Sequence, residues 1–216
     1  MFNGCRIVRR LQFELGAGMP GTDEDWQNPP VMKEILDAVT NEIEAVVTRT
    51  GKELWRLTFP DYYEEGKENT PARIIEIVCH GTGRQYRNCF LNRKLQFDRY
   101  DEVFPLAAAQ ESTDTCLSII LSRLRSGPPA EKVWTDRYIE YLRTESESLI
   151  RRILDDREFD PVTELEMLDG KDYFTSNIID MFIGCASSGK RSDAVSCLMD
   201  IKHRRFQTGG RSKYIL

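Results

Sequence analysis

The chain has 216 residues, 40% of them hydrophobic, and a formal net charge of −5. That length bounds it to one large domain or two small ones, and the apolar content is enough to bury a core without staples. The acidic balance argues against nonspecific binding to nucleic acid or anionic membranes, and no apolar run approaches the roughly eighteen residues of a membrane span.

Residues 1–30 read as an extension: "CRIVRRLQFELG" suits a short strand or a helical turn equally, and "GAGMPGTDEDWQNPP" is rich in turn formers. Asn28 and the two prolines that follow form a helix start. Met32, Ile35, Leu36, Val39, Ile43, Val46 and Val47 then recur at helical spacing, with the polar pair Thr40 and Asn41 as a place where the run can divide. "GKELWRLTFPDYYEEGKENT" ends in loop-like sequence. Propensity leaves "PARIIEIVCHGTGRQYRNCFLNRK" open between strand and helix.

Self-alignment decides that question for helix. "TPARIIEIVC" and "FPLAAAQEST" place Pro71 and Pro105 34 residues apart. After each proline come an apolar segment, a polar turn ("HGTGRQ"; "ESTDT") and a second amphipathic segment, so the reading is two helices per repeat. "EKVWTDRYIEYL", "SESLIRRIL" and "PVTELEML" add helices by their three- and four-residue steps. "FTSNIIDMFIGCASSGKRSDAVSCLMDIKHRRF" is again helix, small-residue turn, helix. Leu121 and Leu198 are expected on buried second-helix faces.

The segments "TPARII" and "FPLAAA" resemble divergent copies of the ankyrin signature T-P-L-H-x-A, with Arg73 and Ala107 where the signature has His. The tail from about Glu131 to Phe206 is similar to the degenerate helical repeats that close ankyrin-like bacterial proteins. The resemblance implies an all-α solenoid over residues 31–206, between an extension (1–30) and a tail (207–216). It also implies a protein that works by binding another protein and has no catalytic centre.

In such a stack the connections before each proline project as fingers. They carry Phe59, Asp61, Tyr62 and Tyr63 in one case and Phe97, Asp98, Arg99, Tyr100 and Asp101 in the other. Tyr and Arg anchor interfaces because they bring large area with little entropy to lose. Tyr62, Tyr63, Arg99, Tyr100 and Asp101 are therefore the expected partner-binding residues, with Phe59 and Phe97 turned inward.

Other constellations carry less. In "GCASSGKRSD", Gly184, Gly189 and Lys190 match the spacing of a phosphate-binding loop, but Arg191 stands where the magnesium-binding hydroxyl belongs. A helix–turn–helix with one left-handed residue in the turn is the preferred reading. Cys79 beside His80 suggests a nucleophile pair, yet neighbours in sequence point apart. Glu145, Glu147, Glu158, Glu164 and Glu166 interleave with Arg151, Arg152 and Arg157 as a solvated face. The basic "KHRRFQTGGRSK" suits a helix C-terminus as well as a phosphate. No cofactor and no metal site is expected. The six scattered cysteines, none in C-x-x-C spacing, read as reduced thiols of a cytoplasmic protein.

Overall fold

In the computed structural model the described residues are 9–15, 32–69, 74–91, 94–155 and 160–206. The chain divides into two compact units, Met1–Trp134 and Thr135–Leu216. The division falls inside the span 31–206 that the repeat reading treats as one domain.

The first unit is built on a three-stranded sheet. Strand β1 (Arg10–Leu15) pairs in parallel with β2 (Ile43–Arg49), and β2 pairs antiparallel with β3 (Lys52–Phe59), giving the order β1-β2-β3. A short helix α1 (Met32–Asp37) precedes β2, with Met32 and Leu36 buried. The β2–β3 turn is the two-residue Thr50–Gly51, at φ 50° and 75°. Two successive left-handed residues give the turn twist that matches a pair of right-twisted strands. Ile43, Ala45, Val46 and Val47 are all buried, as expected for a middle strand covered on both faces.

Two further strands, β4 (Tyr63–Asn69) and β5 (Ile74–His80), form a separate antiparallel ribbon. A short helix α2 (Gly83–Arg87) and the two-residue pair β6 (Phe90–Leu91) and β7 (Lys94–Leu95) follow. Helices α3 (Phe97–Gln110) and α4 (Thr113–Arg125) complete the unit.

Helix α4 closes the open edge of the sheet. Its residues Ser118, Ser122 and Ser126 (the last its C-cap) stand one turn apart, about 6 Å, close to the roughly 6.7 Å of two strand residues. The amides of Arg56 and Thr58 donate to the hydroxyls of Ser126 (2.9 Å) and Ser122 (3.1 Å), and the Thr58 hydroxyl donates to the Ser118 carbonyl at 3.2 Å. From α3, the Tyr100 hydroxyl donates to the Thr58 carbonyl at 2.5 Å. An edge strand satisfied in this way offers no template for another chain. Around it Trp55, Phe59, Tyr86, Phe90, Phe97 and Tyr100 pack ring to ring, the closest centroids being Tyr86 and Tyr100 at 4.6 Å.

The described part of the second unit is helical. It comprises α5 (Lys132–Thr144, entering from just before the boundary), α6 (Ser146–Asp155), α7 (Pro161–Gly170), α8 (Ser176–Ser188) and α9 (Ser192–Phe206). Asp160 and Thr175 cap α7 and α8 by accepting the amides of Thr163 (3.2 Å) and Ile178 (3.3 Å). Leu149, Ile153, Leu165, Leu168, Tyr173, Phe182 and Leu198 are buried. Tyr173 donates to the Leu142 carbonyl at 3.3 Å, tying α5 to the α7–α8 connection.

The all-α, ankyrin-like solenoid is overturned in the first unit. Ile43–Arg49 and Ile74–His80, both read as helical, are strands. In the first of them Ile43, Val46 and Val47 are buried in the middle strand of the sheet, a setting that a helical period does not count. Pro105 lies inside α3 and starts no helix. Pro71 lies outside the described residues, but a strand follows it where a helix surrounds Pro105, so the 34-residue step joins unlike structures. Arg10–Leu15 gives the 1–30 extension a strand, and the tail 207–216 lies outside the described residues. Leu121 and Leu198 are buried in α4 and α9, as expected.

Candidate interaction surface

The ribbon β4–β5 rises from a base fixed by one arginine. Arg87, 1% exposed, donates from Nε to the Leu36 carbonyl (3.0 Å), from Nη1 to Pro60 (2.6 Å) and Gly83 (2.9 Å), and from Nη2 to Val39 (2.7 Å) and Asn41 (3.1 Å). Its guanidinium also lies 5.0 Å over the Tyr62 ring. All five acceptors are backbone carbonyls, so the side chain ties the ends of α1, β2, β3 and α2 together through main-chain groups. Burial lowers its pKa from the ordinary guanidinium value, against the opposing pull of Tyr62, Asp37 and Asp61.

Two glycines let the chain close at that base. Gly81 has φ +80°, and a Cβ there would sit 2.7 Å from the Asp61 carbonyl oxygen; at Gly83 a Cβ would sit 2.1 Å from that of Pro60. The Gly83 amide donates to the Asp61 carbonyl at 3.1 Å. Next to them the Thr82 amide and hydroxyl both donate to Glu111 Oε1, each at 2.6 Å.

Above the base the ribbon turns outward. Tyr63 is 63% and Ile77 60% exposed, the two highest values among the large hydrophobic side chains described. The register sets Tyr63 opposite His80, and their rings stack with centroids 4.5 Å apart at 13°. Glu65 Oε2 lies 3.4 Å from His80 Nε2 on that face, and on the other face Glu64 pairs with Arg84. Among the described residues neither outer edge of the ribbon is paired with a further strand.

The five expected partner-binding residues separate. Tyr63 stands out on the ribbon. Tyr62 is half-buried over Arg87, its hydroxyl donating to the Asp37 carbonyl at 3.3 Å. Arg99 is exposed but belongs to the first turns of α3, and to no finger. Tyr100 and Asp101 are corrected outright, since both are fully buried. Tyr100 faces the sheet because Phe97, Tyr100, Phe104 and Ala107 form the inward stripe of α3. Asp101 accepts Arg123 Nε at 2.7 Å on one oxygen and Nη2 at 2.9 Å on the other, both side chains being at most 1% exposed. Phe59 and Phe97 are inward, as read.

The phosphate-loop match is also resolved. Gly184 to Ser188 are the last turns of α8, and no strand precedes them. The Arg191 amide donates to the Ala186 carbonyl (3.0 Å) and the Lys190 amide to Ser187 (3.2 Å), the paired bonds of a Schellman C-cap. The left-handed residue is Lys190, at φ 57°, one place beyond Gly189. The same motif ends α7, with Asp172 at φ 60°. Lys190→Gly is expected to stabilise the chain by about 0.5–1 kcal/mol in urea denaturation by relieving that conformation.

Cys79 and His80 are consecutive on a strand and so point to opposite faces, which removes the nucleophile pair. In the basic end of α9, Lys202 pairs with Asp180, Arg204 with Asp169, and Arg205 with Asp169 and Asp172. A cleft of about 550 Å³ in the second unit is lined by Asp136, Ile139, Glu140, Arg143, Thr144, Lys171 and Asp172. There Arg143 already serves the Tyr173 and Asp172 carbonyls, at 3.0 and 2.5 Å. Among the described residues no group of three or more His, Cys, Asp or Glu side chains is placed to hold a metal ion, and no helix is long and apolar enough to cross a membrane.

Sequence reasoning missed Ile77, the stacking of His80 on Tyr63, and Arg87. The signal for the ribbon was present in the β-branched run Ile74, Ile75, Ile77, Val78 followed by glycines at 81 and 83. The chain matches no protein-family model, no curated protein and no solved structure.

Proposed function

We propose that the chain is a non-catalytic interaction protein of the cytoplasm that binds another protein through the β4–β5 ribbon of its first unit. The observation that carries this reading is the pairing of an over-determined base with exposed apolar side chains on the ribbon it holds. Arg87 and the two glycines hold the ribbon's start, while Tyr63 and Ile77 are left in solvent. A preorganised aromatic side chain loses little entropy on docking, and an unpaired strand can receive an extended segment of a partner by backbone hydrogen bonds. Cys79, Cys89, Cys116, Cys185 and Cys197 are free thiols, which supports a reducing compartment.

The test uses the full chain as bait in its native host, in wild-type form and as the Tyr63→Ser, Ile77→Ser double variant. A protein retained by the first and lost by the second is the expected result. Equal retention by both baits rejects the ribbon as the binding element.

A further inference from the structure

A seven-residue, two-stranded ribbon is marginal on its own, and an exposed apolar strand edge is a template for pairing. The two edges of this ribbon differ in charge. Strand β4 reads YEEGKEN, three carboxylates and one ammonium, whereas β5 reads IIEIVCH, one carboxylate in seven residues. A two-fold axis demands that an edge fit itself. On an antiparallel pair related by a two-fold axis through the sheet, the axis must pass through a residue and its own copy, since only then do facing side chains share a face. Centring on Glu76 opposes two like charges. Centring on Ile77 pairs all seven residues, sets Ile77 against Ile77 and puts each Glu76 across from Val78.

From this geometry we infer that the occupant of the β5 edge is a second copy of this chain, joined antiparallel about Ile77 into a four-stranded sheet, β4-β5-β5-β4. The inference rests on the ribbon being an interaction element and adds its partner at the edge. Tyr63 and His80 of each copy then lie on one face of the shared sheet, and the two Ile77 side chains meet on the other, which withdraws a 60%-exposed side chain from water.

The experiment is analytical ultracentrifugation of the full chain across the micromolar range, with two variants. Wild type is expected at twice the mass of one chain. Ile77→Lys sets two ammonium groups together at the axis and is expected to sediment as a folded monomer with the wild-type far-UV circular dichroism spectrum, because the residue is exposed in the single chain. Ile77→Cys gives the positive control: facing residues of an antiparallel pair have Cα atoms about 4.5–5.5 Å apart, within disulfide reach. Under a mild oxidant such as oxidised glutathione, peptide mapping is expected to find a covalent dimer linked through the two introduced thiols.

A wild-type chain that stays monomeric throughout overturns the inference. So does a dimer that survives Ile77→Lys, or oxidation that links the Ile77→Cys chains elsewhere. Failure here is separable from failure of the binding reading. A monomer whose captured protein is still lost by Tyr63→Ser removes only the second copy, whereas a dimer whose capture ignores Tyr63→Ser removes only the binding reading.

Discussion

Arg87→Ala is expected to destabilise the first unit by about 4 kcal/mol or more, among the largest effects a single substitution produces. The variant removes the donors for five backbone carbonyls that lie around a side chain only 1% exposed. Each buried acceptor left without a partner costs about 1–3 kcal/mol, reduced where water can enter the space. Lysine keeps the charge but carries its donors on one nitrogen, so it cannot span carbonyls contributed by four segments. Arg87→Lys should therefore recover only part of the loss. Urea denaturation followed by tryptophan fluorescence reads this directly, since Trp55 is buried in the same unit. A variant with the wild-type midpoint would show that the arginine does not organise the base.

Asp101→Ala is expected to cost about 3–5 kcal/mol, because it leaves the Arg123 guanidinium buried without its carboxylate. Arg123 keeps its bonds to the Ser126 and Pro128 carbonyls, at 3.0 and 2.8 Å, and its place 5.0 Å over Phe97, so it cannot simply swing into water. The double variant Asp101→Leu, Arg123→Met replaces both charges by apolar groups of similar reach. It is expected to recover most of the stability, since a buried pair often contributes little beyond its own desolvation. Calorimetric melting of the single and double variants checks both statements. Additive losses would mean that the two residues do not act as a pair.

What was legible in the sequence follows physical range. The helices from Thr113 onward were readable because capping residues and apolar steps of three and four are local, as in Ser112 before α4 and Thr175 before α8. The Schellman turn after Ser188 was readable as a turn, although its left-handed residue is a lysine one place beyond the glycine. The strands were not read, because Ile43, Val46 and Val47 fit a helical period by coincidence, and what makes them a strand is pairing with Arg10–Leu15 and Lys52–Phe59.

The turn at Thr50–Gly51 was present in the sequence and was not read as a hairpin. The stripe Ser118, Ser122, Ser126 was likewise visible at four-residue steps, but its meaning depends on an edge strand some sixty residues away. Tyr100 and Asp101 were misread for the same reason: aromatic and charged residues look like an interface until the helix that carries them turns them inward. Tyr63 was expected outside and is exposed, on the strand pair next to the ribbon's base.

The most direct test of the account compares Tyr63→Ser with Tyr100→Ala, each melted in urea and each titrated against the captured protein. Tyr63→Ser is expected to keep its midpoint within about 0.5 kcal/mol and to lose about 1–2 kcal/mol or more of binding. Tyr100→Ala should instead lose about 3–5 kcal/mol of stability, with binding affected only through unfolding. A Tyr63→Ser chain that binds normally, or that unfolds as readily as Tyr100→Ala, would contradict it.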